Sequence, residues 1–402
     1  MSDKKIIFSA FVFFYTIFFS IPSFNPTIAG WIRNGLILLF PILNFDILKK
    51  QLLEKEYLKI NLLFFLWGLI VIYSGFENAN LSYDYISHGD KSTIFARRGD
   101  HAIYYVINIW FFVLYFEGIY SKCQYLKFLR SLFYFLSAFV IASDINAIVY
   151  NSPNGSGYLV GNKFTVCYLN LYLAIIYYLL HPLLIGRPKK YFILLLCLSL
   201  VIALKTQCST MVIGSVLMYL FSIVFKPNIK VKLYEIKTLI LSIVFFSIIF
   251  FFFTTAIINT PFMKYIIVDV LGEDMTLTGR LRIYAGVVSL LEHIPLFGYG
   301  MGNSHLITMM NEIGSNAQNG LFNLIIEIGI VGVIVYMSIL IIMIKKQDAS
   351  ILSYPILCFI YVMIVLSSVE ITFSTTFLAL VILLLAKPQQ KYVRQRKLMA
   401  SN

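Results

Sequence analysis

The sequence predicts an all-α integral membrane protein with about twelve transmembrane helices. Its 402 residues are 59% hydrophobic and only 13% charged, and the mean hydropathy is +0.83. Soluble domains carry roughly 25% charged residues, whereas each bilayer crossing needs about 20 mostly apolar residues. Ten-residue segments of alternating polarity are absent, so the pattern does not favour a β-barrel.

Twelve apolar runs carry this prediction. No linker, low-complexity tract or clear internal repeat separates them, so we expect one polytopic domain over 1–402. The predicted spans are 6–21, 27–44, 58–75, 101–119, 126–147, 164–185, 191–204, 208–225, 237–258, 319–344, 351–367 and 371–386.

The formal charge of +13 follows the predicted topology. With Lys4 and Lys5 in the cytoplasm, that side receives 23 of the 32 Lys and Arg residues and the opposite side receives 8, while Arg33 lies within the second span. This is the positive-inside pattern. It places both termini in the cytoplasm and explains the basic composition without a nucleic-acid partner.

The cysteines indicate neither a disulfide framework nor a metal site. They are odd in number, lie mostly in or near spans, and lack metal-ligand spacing. We therefore predict no metal and no cofactor. The five are Cys123, Cys167, Cys197, Cys208 and Cys358.

One outer loop, 259–318, is much longer than the other connections, and long loops are usually functional. From Thr278 the apolar residues recur at helical spacing, which places Arg280 and Arg282 in the first turn of a helix that ends before Pro295. Free N–H groups and the helix dipole favour an anion there, and guanidinium groups suit phosphate. The alternative is an amphipathic helix whose arginines touch lipid headgroups.

Two further features of this region could form a site. Gly298, Gly300 and Gly302 alternate, which permits positive φ and close backbone approach to a ligand, or else a plain chain reversal. Farther on, Asn319 and Glu327 share one helix face with Asn323, and a carboxylate eight residues into a span is either functional or paired. A pairing of Glu327 that serves packing alone is the alternative.

Other polar residues give weaker signals. Lys163 stands at the outer mouth of the sixth span, and Lys205 and Ser209 lie in the tight turn between spans seven and eight, so together they could ring an outward-facing cavity. His293 and His305 lie on the long loop, and either could act as a general base because imidazole titrates near pH 6.5.

The loop 76–100 holds several charged residues, but their spacing fits no standard metal site, so we interpret it as a solvated loop. The residues are His88, Asp90, Lys91, Arg97, Arg98 and Asp100, followed by His101.

Several motifs occur together along the second half of the chain and beside the sixth span. They are Gly161-Asn162-Lys163, Thr206-Gln207-Cys208-Ser209-Thr210, Gly279-Arg280, Pro295-Leu296-Phe297-Gly298-Tyr299-Gly300-Met301-Gly302, Gln318-Asn319 and Glu327-Ile328-Gly329-Ile330-Val331-Gly332.

This combination resembles the O-antigen polymerase and ligase superfamily (Wzy and WaaL type), membrane glycosyltransferases of the GT-C class. The resemblance implies a protein of the bacterial inner membrane whose active site faces the periplasm. Its partners would be undecaprenyl diphosphate-linked oligosaccharides and membrane lipids; whether a chain-length regulator also binds stays open. Arg280 and Arg282 would hold the diphosphate, with Lys163 carried over more weakly.

Two departures from the family pattern favour a polymerase over a ligase that acts on lipid A-core. Gln318 stands where ligases have a histidine, and Ser209 stands where an arginine is frequent. They leave His305, Glu327 and Glu292 as candidates for the base. A lipid-linked oligosaccharide flippase is the alternative from another class, although transporters tend to show repeats and midplane charges.

Overall fold

The computed structural model describes residues 2–87, 90–97, 99–119, 124–149, 157–184, 189–224, 235–249, 260–270, 280–345 and 354–385. Helices make up most of this part of the chain. They are α1 Asp3–Ile17, α2 Pro26–Leu52, α3 Leu58–Glu77, α4 Gly99–Ile119, α5 Tyr125–Val149, α6 Lys163–Leu184, α7 Lys189–Lys205, α8 Ser209–Val224, α9 Ile236–Ile243 with a π-helical continuation Val244–Ile249, α10 Pro261–Lys264 with a π-helical continuation Tyr265–Val270, α11 Arg280–Leu291, α12 Ser304–Met310, α13 Gly320–Lys345, α14 Tyr354–Leu366, and α15 Thr375–Ile382 with a 3-10 turn Leu383–Leu385.

Six of these helices are long and apolar enough to cross a bilayer, namely α2, α3, α4, α5, α6 and α13. Shorter apolar helices lie within α8, α14, the α9 region and the α15 region. The predicted class, an all-α multi-pass membrane protein, therefore agrees with the structure. The number of twelve crossings stays a prediction.

A β-hairpin forms where the sequence predicts only a solvated loop. Strands β1 (Ser82–Ser87) and β2 (Asp90–Phe95) pair antiparallel, and the Thr93 hydroxyl donates to Asp84 Oδ1 across the pair at 2.7 Å. Aromatic and β-branched residues, which favour strands, make up half of each segment: Tyr83, Tyr85 and Ile86 in β1, and Thr93, Ile94 and Phe95 in β2. β1 packs against α12, so the hairpin joins the loop region to the helical bundle.

Aromatic side chains fill the centre of the bundle. Phe13 of α1 meets Phe112 of α4 edge to face at 4.8 Å, and Phe116 meets Phe128 of α5 at 5.0 Å. Because lipid is as apolar as these side chains, close van der Waals contact stabilises such packing in a membrane. The first, fourth and fifth helices are thereby held together as one unit.

Helix α11 packs against the bundle through one apolar face. Tyr284, Val287 and Leu290 are buried with Ile307 of α12 and Phe322 of α13. The helix therefore has a protein surface to cover, in contrast to a helix that lies only on lipid.

Helix α13 is interrupted at Gly329, where φ is 65° and ψ is 179°. The loop before α12 pairs with the interrupted backbone. The N–H groups of Tyr299 and Gly300 donate to the carbonyls of Ile326 and Glu327 at 2.8 and 2.9 Å, and the N–H of Val331 donates to the carbonyl of Leu296 at 3.3 Å. A backbone break at membrane depth is tolerated where neighbouring protein satisfies its polar groups.

Glycine is required on both sides of this contact. A side chain at Gly298 or Gly329 would collide with the backbone of the other segment, and both residues have positive φ. A glycine within an apolar span often permits close packing of a neighbouring helix. In the structure, the segment that packs closely against Gly329 is the loop before α12, which pairs with the interrupted backbone of α13.

Candidate functional site

Two adjoining cavities open at one end of the bundle. The first, here named the basic cavity, has a volume of about 690 Å³ and is lined by Arg33, Arg97, His101, His305 and Glu327 among others. The second, named the neutral cavity, has a volume of about 540 Å³ and is lined by polar and aromatic residues of the α6 region and of the segments before α13 and α15. The two share part of their walls, formed by Ile17, Ile371, Ser374 and Thr376.

Glu327 forms one wall of the basic cavity. It is only 8% exposed, and Asn323, Ser304 and the Gly302 N–H lie beside its carboxylate. Asn323 is itself held, since the Ser304 hydroxyl donates to its Oδ1 at 2.6 Å. The predicted shared face of Asn323 and Glu327 therefore exists, and both residues line the cavity.

Arg97 lies across from Glu327 and acts on it electrostatically. Its backbone N–H donates to Asn303 Oδ1 at 2.7 Å, and Asn303 Nδ2 donates to the Tyr299 carbonyl at 2.8 Å. The guanidinium lies over Gly302, where a Cβ would come within 2.8 Å of Arg97 Nη1. The turn that pairs with the break in α13 therefore also positions this arginine.

Arg97 corrects the interpretation of 76–100 as a solvated loop. Arg97 and His101 both line the basic cavity, together with Arg33 from α2. The salt bridges among the described residues include neither Arg33 nor Arg97. Their guanidinium donors are consequently available for an anion. The signal in the sequence is only an arginine shortly before a span, which is common in membrane proteins.

The structure separates the candidate bases. His305 is exposed in the basic cavity, and its Nδ1 donates to the Ser315 carbonyl at 2.7 Å, which leaves Nε2 as the acceptor of the neutral ring. His293 and Glu292 are exposed and line neither cavity. Of the proposed bases, His305 and Glu327 are thus brought together.

The two arginines at the centre of the sequence prediction are only partly described. Both residues lie in the first described turn of helix α11. The side chains of Arg280 and Arg282, like Thr278, lie outside the described part of the chain. Their predicted anion site remains a prediction.

The residues around the start of α13 have different roles. Asn319 is fully buried and caps the helix, accepting from the N–H groups of Leu321 and Phe322 at 3.0 and 3.1 Å, while its Nδ2 donates to the Ser247 carbonyl. It lines neither cavity. Gln318 has a positive φ of 50° and lines the neutral cavity.

Gly300 has the positive φ that the alternating glycines predict, but its neighbour is protein. A Cβ there would lie 3.2 Å from Gly75 Cα of α3, and its N–H donates to the Glu327 carbonyl. Close approach to a ligand is therefore not the reason for this glycine.

Burial raises the pKa of the adjacent Tyr299 phenol above its ordinary value, so that group stays neutral.

The predicted ring of Lys163, Lys205 and Ser209 does not surround either cavity. Lys163 Nζ donates to the Gln207 carbonyl at 3.1 Å, which ties the start of α6 to the turn between α7 and α8. Its neighbours Asn162 and Phe164, and not Lys163 itself, line the neutral cavity.

Comparison with known proteins gives one family match. Residues 192–337 match a family model described as O-antigen ligase, a region that includes the glycine turn, His305, Gln318 and Glu327. No curated protein and no solved structure gives a significant match. The match supports the O-antigen ligase and polymerase superfamily for this chain, whose members are membrane glycosyltransferase-like enzymes.

Proposed function

We propose that this chain polymerises undecaprenyl diphosphate-linked polysaccharide repeat units of O-antigen or capsule type. The growing glycan is transferred from its lipid diphosphate to a sugar hydroxyl of a new lipid-linked unit, at the periplasmic face of the inner membrane. One observation carries the proposal. The basic cavity brings His305, Glu327 and Arg97 around a single space, and His305 and Glu327 lie within the region that matches the family.

The cations of the basic cavity suit a diphosphate leaving group. Negative charge grows on the leaving oxygen as its bond to the sugar breaks, and fixed donors lower the energy of that state. Arg97 and Arg33 line the cavity and take part in none of the described salt bridges, although the Glu327 carboxylate acts on Arg97 electrostatically. Arg280 and Arg282 also bind the diphosphate if the first turn of α11 points towards the cavity, as the resemblance implies.

His305 is the group that accepts the proton. The acceptor hydroxyl oxygen forms a bond to the anomeric carbon, the bond from that carbon to the diphosphate oxygen breaks, and its electron pair leaves with the diphosphate. The hydroxyl proton passes to His305 Nε2, because the Ser315 carbonyl holds Nδ1–H. Glu327 balances the charge of Arg97 and holds the Gly302 turn.

Reconstitution tests the proposal directly. The purified chain in lipid bilayers is supplied with lipid-linked repeat units extracted from a strain that lacks it. Products that grow by whole repeats, with release of undecaprenyl diphosphate, are the expected result. Movement of the units across the bilayer without new linkages would replace the proposal by a flippase.

Ligation to lipid A-core is the second candidate, since the matching family model is described as O-antigen ligase. Gln318, in place of the histidine of ligases, favours polymerisation. The glycan profile of a deletion strain separates the two. A ladder that collapses to a single repeat indicates a polymerase, whereas complete chains left on the lipid carrier indicate a ligase.

A further inference from the structure

We infer that the neutral cavity binds uncharged sugar residues of the lipid-linked glycan while the diphosphate occupies the basic cavity. The inference rests on the proposed function and assigns a separate role to a second space that the reaction chemistry alone does not require.

The charge of the neutral cavity excludes a diphosphate. Among its described lining residues there is no Lys, Arg or His, and Glu370 supplies a carboxylate. A diphosphate placed there would meet negative charge and no cation, while two arginines lie in the adjoining basic cavity. The ligand of the neutral cavity is therefore not an anion, and uncharged sugar residues meet this condition.

The polar groups of the cavity match the hydroxyl groups of a sugar. Asn162, Thr165, Asn316 and Gln318 line it, with the Thr165 hydroxyl donating to Asn162 Oδ1 at 3.1 Å and the Gln318 N–H donating to Asn316 Oδ1 at 2.9 Å. Amides and hydroxyls offer both donors and acceptors, as sugar hydroxyl groups do. The volume of about 540 Å³ lies within the range of about 300–1,000 Å³ that is usual for small-molecule sites.

Two tyrosines add an apolar surface and an unused hydrogen-bonding group. The rings of Tyr168 and Tyr172 are nearly parallel, at 18° and 6.0 Å between centroids, and both line the cavity. The C–H face of a pyranose packs well on such rings because the ring face carries partial negative charge. The Tyr168 hydroxyl is buried and has no hydrogen-bond partner within the described part of the chain. A sugar hydroxyl would supply one.

The shared wall explains how one substrate fills both spaces. Ile371, Ser374 and Thr376 line the two cavities alike, so the diphosphate and the sugars attached to it have adjoining sites. The sugars next to the diphosphate are thereby held in the neutral cavity, beside Gln318. The lipid chain takes no part in this contact.

The experiment compares two probes on the full chain in lipid nanodiscs. One is undecaprenyl diphosphate without sugar, and the other is the lipid-linked repeat unit extracted from a deletion strain. Tyr168→Phe removes a single hydroxyl and should raise the Kd of the sugar-bearing probe roughly threefold to tenfold, the size of one hydrogen bond. The Kd of undecaprenyl diphosphate should stay within about twofold.

A second variant and two controls complete the design. Gln318→Asn withdraws the amide by one carbon at a position with positive φ, which Asn tolerates, and should act like Tyr168→Phe. Tyr336→Phe removes another buried hydroxyl without a partner in the described region, from a residue that lines neither cavity, and should change neither Kd. Arg97→Gln should weaken both probes.

The outcomes separate this inference from the proposed function. If wild-type protein binds both probes but Tyr168→Phe and Gln318→Asn change them equally or not at all, the neutral cavity is not a sugar site and the polymerase proposal still stands. If wild-type protein binds neither probe, the proposed function fails and this inference fails with it.

Discussion

The Arg97 guanidinium lies directly over Gly302, more than 200 residues away in the sequence, and this contact orients the arginine towards Glu327. Gly302 has a φ of 83°, and a Cβ there would come within 2.8 Å of Arg97 Cδ and Nη1. Glycine is therefore required at position 302 for two reasons. One is the positive φ, and the other is the space that the Arg97 side chain occupies beside the basic cavity.

Gly302→Ala should displace Arg97 and lower polymerisation at least about tenfold, because a shift of about 1 Å in a positioned group can cost far more than that. Chain length on extracted lipid-linked units is the measurement. Gly314→Ala is the matched control, since Gly314 also has a positive φ, of 148°, but a Cβ there would meet only the Ile283 side chain, at 3.3 Å. Equal losses in the two variants would mean that backbone strain, and not Arg97, explains the effect.

The break in α13 gives a prediction about stability. Gly329→Ala forces a side chain against the Leu296 carbonyl at positive φ and should destabilise the protein by about 2 kcal/mol or more, the usual range for such strain. Thermal unfolding in detergent measures this. Gly35→Ala, in an open part of α2 with nothing within 4 Å, should be neutral or slightly stabilising. A Gly329→Ala protein as stable as wild type would show that the break does not depend on glycine.

The arginines of the two candidate anion sites should act together. Arg280→Ala and Arg282→Ala are expected to abolish long-chain polysaccharide while expression and single lipid-linked repeats persist. Arg97→Ala should do the same, because each change removes charge that stabilises the leaving diphosphate.

Lys127→Ala is a control for the loss of a cation, since Lys127 forms an exposed salt bridge with Asp3, and exposed pairs contribute little. Full-length chains from the Arg280 and Arg282 variants would reduce those arginines to headgroup contacts. Full-length chains from the Arg97 variant would mean that the basic cavity does not bind the leaving diphosphate.

The positions of the helices could be predicted from the sequence, but the composition of the site could not. Apolar runs and Pro295 locate α11 and α13 because helix formation depends on local periodicity. Glu327 and His305 could be nominated as single residues. Arg97 could not, since its role depends on a contact with a turn far along the chain, and the pairing of Tyr299 with Ile326 across the α13 break has no local signal beyond glycine itself.

His305→Gln tests the assignment of the base. Gln retains a hydrogen-bonding side chain of similar reach but cannot take a proton, so polymerisation should fall roughly 10²–10⁴-fold, the usual contribution of general acid–base catalysis. The Kd for undecaprenyl diphosphate should be unchanged, because the ring is not a fixed cation of the leaving-group site.

His293→Gln is the matched control for the loss of an imidazole. His293 is an exposed loop histidine that lines neither cavity, and this variant should keep wild-type activity. If His305→Gln retains most activity while Glu327→Gln loses it with the fold intact, the proton goes to the carboxylate. The bond made by the Ser315 carbonyl to the His305 ring would then serve only to hold the loop.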